Sequence, residues 1–229
     1  SQGVGYIKTP GNYTDEMIEA WKRIVDGVHA AGGRMFLQLW HVGRTSHPDF
    51  HGGELPVGPS AIGYDGQVFT PDGLKTIVTP RALEVSELPG IAEDYAQAAR
   101  NAMQAGFDGV ELHGASGYLL DQFLRDGSNQ REDNYGGSVE NRARFPLEVV
   151  DAVTSEIGAG KVGYRVNPMN LPHFGMMDSD PKASYGYLAS EHGKRTLGYL
   201  HVIAPIAPGG MEAPPEEPLL PDLRKLFPG

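Results

Sequence analysis

Polar and aromatic side chains recur at the ends of apolar runs in this 229-residue chain. The runs are MFLQL at 35–39, FDGVEL at 107–112 and VGYRV at 162–166. The residues in question are, in chain order, Gln38, Trp40, His113, Ser116, Tyr118 and Arg165. They include no nucleophile paired with a base and no cluster of carboxylates. Their chemistry suits holding a flat, electron-rich ring and polarising a carbonyl group.

Each of these residues also has a purely structural interpretation. A single histidine at a strand end is more often a hydrogen-bonded structural residue, and a tyrosine beside Leu119 and Leu120 is more often half-buried packing. In the same way, Arg165 could pair with a carboxylate and Gln38 could satisfy backbone groups. Their recurrence after successive strands is what favours a shared site.

Two other motifs are weaker. His47 and His51, near His41, have a zinc-like spacing, but a zinc site needs a third protein ligand and a framework to fix it. Because these histidines lie in a proline-containing loop, we expect no metal there. The glycine pair in NYGGSVENR (134–142) resembles a phosphate-binding turn, yet it is better explained as a tight turn before a helix capped by Ser138.

Composition excludes several classes of partner. The formal net charge is −10 and no run of lysine or arginine stands out, so nucleic acids and anionic membranes are not expected partners. No apolar run approaches the length of a membrane span. The chain has no cysteine, which excludes disulfides and thiolate chemistry and is typical of a cytoplasmic protein.

Helical and apolar segments alternate along the chain. The predicted helices cover 15–31, 90–105, 139–157, 181–197 and 219–226. The predicted strands cover 35–40, 107–112, 161–166 and 199–203. The glycine- and proline-rich segment 41–88 is interpreted as a functional loop with local strand near 67–70, and a proline-rich loop follows the last strand. Such alternation predicts parallel strands joined by right-handed helical crossovers.

Two α/β architectures fit this order. A doubly wound sheet usually carries a G-x-G-x-x-G turn after a strand, and none is present. The long connections all follow strands, as in a (β/α)8 TIM barrel, whose active site lies at the carboxyl ends of the strands. We therefore predict a partial TIM barrel of about four central parallel βα units, forming a single domain over residues 1–229.

Several segments of the sequence resemble the Old Yellow Enzyme family. They are QLWHVGR (38–44), VGYRV (162–166), DSDP (178–181) and, most specifically, GFDGVELHGASGYLLDQFLRDGSNQREDNYGGSVENRARFPLEVVDAV (106–153). Members of that family are FMN-binding barrels that use NAD(P)H to reduce the C=C bond of α,β-unsaturated carbonyls. The resemblance implies a small enone as substrate and covers almost the whole chain.

The resemblance also implies roles for individual residues. His113 corresponds to the donor to the substrate carbonyl oxygen, and Tyr118 to the donor of a proton to the α-carbon. Gln38 and Arg165 correspond to cofactor contacts, at the pyrimidine edge and beside N1 and O2 of the flavin. Trp40 corresponds to a residue that lines the substrate pocket.

The sequence departs from the family pattern in two ways. Ser116 replaces an asparagine or histidine that provides a second donor to the substrate carbonyl. Relative to the family, the chain begins after two barrel strands and ends before two more. We therefore expect either an ene-reductase completed by a complementary fragment or a second copy, or an inactive relic or interaction fragment that binds no flavin on its own.

Overall fold

The computed structural model describes residues 2–169, 175–203 and 219–228. The helices are α1 (Asp15–Ala30), α2 (Leu88–Gln104), α3 (Leu119–Leu124), α4 (Val139–Ile157), α5 (Pro181–Lys194) and α6 (Leu220–Leu226). The strands are β1 (Phe36–Leu39), β2 (Val57–Gly58), β3 (Gln67–Thr70), β4 (Gly73–Thr76), β5 (Arg81–Ala82), β6 (Gly109–Gly114), β7 (Val162–Val166) and β8 (Tyr199–Val202). The proline-rich loop predicted after β8 lies outside the described residues.

Four strands form a central parallel sheet in the order β1-β6-β7-β8. This is the predicted sequential order, in which each strand pairs with the next one along the central βα units. It confirms the α/β class and the partial barrel. Strand β6 is buried along all six residues, as a central parallel strand covered on both faces must be.

Local sequence explains where the helices begin. The side chains of Thr14 and Ser138 accept hydrogen bonds from backbone amides at the first turns of α1 and α4. Gly137, at φ +79°, provides the predicted tight turn before the Ser138 cap. Helix α5 ends at Lys194 rather than at 197, because Thr196 adopts a left-handed φ of +53° that no helix continues through.

The core lies between the sheet and its covering helices, chiefly α2 and α4, which pack against each other. Val110, Leu112 and Val162 of the sheet are fully buried against Val149 and Val153 of α4. Burial of apolar surface at ~25 cal/mol per Å² is the dominant favourable contribution to such packing. No helix of the described residues is both long and apolar enough to cross a membrane.

The segment 41–88 carries more structure than the predicted loop with one local strand. Strands β3 and β4 form an antiparallel hairpin, and β2 pairs with β5 in a short parallel ladder. The long loop after β6 also contains the unpredicted helix α3, all six residues of which are buried. These additions follow the carboxyl ends of β1 and β6 along the chain, and α3 contacts both β6 and β2.

Candidate active site

Parallel register brings the predicted residues to one face of the sheet. His113 lies directly opposite Arg165 across β6 and β7, so both side chains share that face. Gln38 lies opposite Glu111, one layer deeper. Trp40 follows β1 two residues beyond Gln38 and therefore lies in the layer of His113. The residues that sequence reasoning placed at strand ends are neighbours in space.

An aromatic cluster forms the centre of this face. The rings of Trp40 and His113 are stacked, with centroids 5.8 Å apart and planes inclined by 21°. Tyr118 presents its edge to both rings, at 4.7 Å from Trp40 and 4.9 Å from His113. Tyr118 is reached through Ser116 and Gly117, whose φ angles of +57° and +82° turn the chain back towards the sheet.

Buried side chains of α3 hold that turn in place. The carboxylate of Asp121 accepts hydrogen bonds from the Gly117 amide at 2.9 Å, from Arg125 Nε at 3.0 Å and from the Tyr185 hydroxyl at 2.5 Å. The amide of Gln122 donates to the Gly117 carbonyl at 2.6 Å. Gly117, the residue before Tyr118, is thus held at both its amide and its carbonyl.

The protonation state of His113 follows from its surroundings. Burial, together with the nearby Arg165 cation, lowers its pKa to about 4, so the ring is neutral at neutral pH. The Ala115 amide donates to His113 Nδ1 at 3.3 Å, which makes Nδ1 the acceptor. The hydrogen of the neutral ring is therefore on Nε2, which is a donor available to a ligand.

Arg165 is a cation without a carboxylate partner among the described residues. Its Nε is buried and has no hydrogen-bond partner there, and the same is true of Nε1 of Trp40. Gln38 donates through Nε2 to Glu111 at 2.6 Å, which leaves its carbonyl oxygen as an acceptor. A cation and an amide acceptor fit the pyrimidine edge of a flavin, whose imide offers both a donor and acceptors.

Ser116 lies between His113 and Tyr118 and is half-buried. Within the described part of the chain, its hydroxyl makes no hydrogen bond. Its backbone is left-handed, a conformation that asparagine adopts several-fold more readily than most residues. The backbone conformation of the turn therefore positions the Ser116 hydroxyl, and no hydrogen bond to another described residue does so.

Two participants were missed by sequence reasoning. The Tyr6 hydroxyl lies 3.0 Å from that of Tyr118, and its ring contacts Trp40 at 5.0 Å. Glu111 bridges Gln38 and His201, the latter at 3.0 Å. Side chains alternate between the two faces of β6, so Glu111 lies on the same face as His113. This alternation could have indicated Glu111 from the sequence. Tyr6 lies 112 residues from Tyr118 in a segment without periodicity, so no local pattern indicated it.

The histidines with zinc-like spacing are occupied by other contacts. His47 pairs with Asp49 at 3.0 Å, and His51 exchanges a hydrogen bond with Ser46 at 2.9 Å. His41 is buried and its Nδ1 accepts from the Gly43 amide. The described residues include no group of three or more histidine or acidic side chains arranged to hold a metal ion.

The sequence is similar to plant reductases. It is 51% identical over 207 residues to putative 12-oxophytodienoate reductase 11 of Oryza sativa subsp. japonica, covering 88% of this chain and 55% of that protein. It is 47% identical over 211 residues to 12-oxophytodienoate reductase 2 of Arabidopsis thaliana, covering 88% and 54%. The chain thus spans about half the length of these curated relatives.

The fold is similar to solved reductases. Morphinone reductase superposes with a TM-score of 0.91 at 49% identity, over 100% of this chain and 62% of that one. An old yellow enzyme homologue from Zymomonas mobilis superposes at 0.93 with 39% identity, over 99% and 63%. Residues 1–211 match the family model described as the NADH:flavin oxidoreductase / NADH oxidase family. The chain therefore belongs to this family, the Old Yellow Enzymes, whose members use FMN and NAD(P)H.

Proposed function

We propose that this protein contributes the catalytic face of an FMN-dependent ene-reductase, which reduces the C=C bond of an α,β-unsaturated carbonyl compound at the expense of NAD(P)H. The observation that carries the proposal is the pairing of two donors on one surface. Nε2–H of neutral His113 and the hydroxyl of Tyr118 belong to rings 4.9 Å apart, and the Arg165 cation lies opposite His113 on the neighbouring strand.

The two donors suit the single negative charge that hydride addition to an enone develops, shared between the carbonyl oxygen and the α-carbon. His113 would donate to the carbonyl oxygen, where negative charge accumulates as the β-carbon is reduced; preorganised donors are effective there because they need no reorganisation. Bound FMN would supply the hydride. Tyr118 would hold a proton for the α-carbon, since burial raises the pKa of its phenol and keeps it protonated throughout the neutral range.

The remaining residues suit the cofactor. Arg165 would place positive charge beside the flavin pyrimidine, where the reduced ring carries negative charge. The free carbonyl of Gln38 would accept from the flavin imide, with its amide fixed by Glu111. Trp40 would form one wall of the substrate pocket, held between His113 and Tyr6.

The proposal is tested by titrating the purified chain with FMN and following flavin fluorescence. We expect saturable quenching of the flavin fluorescence. The FMN-loaded protein should then convert 2-cyclohexenone to cyclohexanone in the presence of NADPH. The variant Arg165→Met should weaken FMN binding, whereas Arg224→Met, an exchange in the distant helix α6, should not. Saturable FMN binding without any saturated ketone product would contradict the proposed reaction.

The alternative is a chain that keeps the family fold and binds no flavin on its own. Among the described residues, β1 and β8 are the outer strands of the sheet.

A cavity of about 530 Å³ runs along β1, between this strand, the N-terminal segment and α2. Gln38, Trp40 and Tyr6 line this cavity whereas His113, Tyr118 and Arg165 do not, so the cavity adjoins the proposed site. FMN binding that appears only in a larger assembly, measured by light scattering, would favour completion by a fragment or a second copy.

A further inference from the structure

The N-terminal segment holds Tyr6 in place above β1. The Val42 amide donates to the Gly3 carbonyl at 3.1 Å, and Ser46 Oγ donates to the Val4 carbonyl at 2.8 Å. Gly5 approaches the Thr45 carbonyl so closely that a Cβ there would collide with it. These contacts fix the backbone on the N-terminal side of Tyr6. The fold of this segment therefore sets the position of the Tyr6 hydroxyl beside that of Tyr118.

Tyr118 needs a neighbour that can return its proton. Loss of the proton leaves a phenolate in a largely buried position, where burial disfavours the charged form. The titratable or charged groups that act on the Tyr118 phenol include the cation of Arg165 and the phenols of Tyr6 and Tyr64, and the neutral ring of His113 lies 4.9 Å from the Tyr118 ring. Arg165 stabilises negative charge without being able to give up a proton at neutral pH.

Of the two phenols, only Tyr6 contacts the Tyr118 hydroxyl, at 3.0 Å. Tyr64 donates instead to Thr45 Oγ1 at 3.3 Å, and the Arg44 guanidinium lies 5.2 Å from its ring centroid. Tyr6 is half-buried, so part of the residue is exposed to solvent. Its hydroxyl can donate to Tyr118 or accept from it, because a phenol hydrogen rotates to suit its partner.

We propose that Tyr6 is the proton-relay partner of Tyr118. The inference rests on the proposed function, in which Tyr118 protonates the α-carbon. In that step the O–H bond of Tyr118 breaks, and the electron pair of the enolate forms the new C–H bond. The Tyr6 O–H bond then breaks as the O–H bond of Tyr118 re-forms, and Tyr6 recovers a proton from water. No electron is gained or lost in this relay.

The hydrogen bond can be tested without flavin. Difluorotyrosine incorporated at position 118 ionises at lower pH than tyrosine, and its ¹⁹F signal reports that ionisation. Tyr6→Phe keeps the ring against Trp40 and removes the donor to the phenolate. We expect it to raise the pKa of the fluorinated residue by about one unit, a tenfold change in its ionisation constant. Tyr13→Phe, a change in the same segment at a side chain 62% exposed, is the matched control and should leave the pKa unchanged.

The relay is tested in the FMN-loaded protein by single-turnover reoxidation with an enone. Tyr6→Phe should slow reoxidation about tenfold and change its solvent isotope effect, with flavin reduction by NADPH unaffected. Wild-type values of both the ¹⁹F pKa and the reoxidation rate in Tyr6→Phe would overturn the relay. If the pKa moves but Tyr118→Phe itself reoxidises normally, the hydrogen bond stands and the proposed role of Tyr118 fails instead.

Discussion

Ser116 is the residue at which we predict a departure from the family pattern. It occupies a left-handed position at φ +57°, where a serine is strained and an asparagine is better tolerated. Its hydroxyl is also too short to stand in fully for a side-chain amide as a second donor beside His113. Water bridging would recover part of the lost interaction, since water-mediated hydrogen bonds are nearly as good enthalpically.

We therefore predict that Ser116→Asn, in the FMN-loaded form, tightens phenol binding and raises enone turnover. Loss of one oxyanion donor costs on the order of 10²-fold, which sets the upper limit of the gain. The measurement is a phenol titration of the flavin charge-transfer band together with enone turnover. An asparagine variant that binds and turns over no better than the parent would show that Ser116 is not a degraded donor.

His113 is the donor whose state the structure defines most closely. Because its Nε2–H faces the site, His113→Ala should weaken phenol binding by about tenfold or more, the usual consequence of leaving an oxyanion without a donor. The readout is the same charge-transfer titration. His29→Ala, on the exposed end of α1, serves as control. Equal phenol affinities in both variants and the parent would remove His113 from the carbonyl contact.

The chemistry of single residues was partly readable from sequence. His113, Tyr118 and Arg165 could be found because each follows or ends an apolar run, and strand ends converge in a parallel sheet. Tyr6 could not, because its contact with Tyr118 depends on how an irregular N-terminal segment lies over β1. Roles stay predictions for all of these residues, and the variants above decide them.

At the scale of elements, α3 is the support of the site. Its Asp121 is fully buried and joins the turn before Tyr118 to Arg125, which in turn donates to the Asn167 and Met169 carbonyls beyond β7. One ion pair thus ties together the chain segments that follow β6 and β7. These are the strands that carry His113 and Arg165.

Asp121→Asn should therefore destabilise the fold strongly. Neutralising one partner of a buried ion pair typically costs about 3–5 kcal/mol. The control is Asp151→Asn, which breaks the exposed pair with Arg195 and should cost about 1 kcal/mol or less. The measurement is the free energy of unfolding in urea. Similar losses in both variants would contradict the supporting role assigned to α3.

The four central strands were predictable, whereas α3 was not. Each predicted strand is a largely apolar run that follows a glycine or a charged residue, and alternation with helices fixes their parallel order. Helix α3 is six residues long and buried all round, so LLDQFL has no polar face and no periodicity to reveal it. The short ladders within 41–88 are likewise set by tertiary contacts rather than by local pattern.

At the scale of the whole molecule, three buried histidines make stability depend on pH. Burial lowers the pKa of His41 and His192 to about 3 and that of His113 to about 4. An unfolded chain protonates histidine near pH 6.5, so below that value the unfolded state binds more protons than the folded state. Stability should therefore be full above pH 6.5 and should fall as the pH decreases towards 4.

His192 is the clearest test of this dependence, because both its ring nitrogens are buried and find no hydrogen-bond partner in the described part of the chain, and its ring packs 4.3 Å from that of Tyr164. We predict that His192→Phe makes the free energy of unfolding less dependent on pH. The parent's loss of stability between pH 6.5 and 4 should shrink by up to about 3 kcal/mol in this variant. Urea unfolding across that range provides the measurement. A profile parallel to that of the parent would contradict the assignment.

The most direct test of the proposed reaction is single-turnover reoxidation of the reduced, FMN-loaded protein by 2-cyclohexenone, comparing Tyr118→Phe with the parent. Reduction of the flavin by NADPH is the internal control, because it needs no proton from Tyr118. General acid catalysis typically contributes 10²–10⁴-fold, so we predict reoxidation slowed by about that factor with reduction nearly unchanged. Equal reoxidation rates in the two proteins would contradict the proposal that Tyr118 donates the proton.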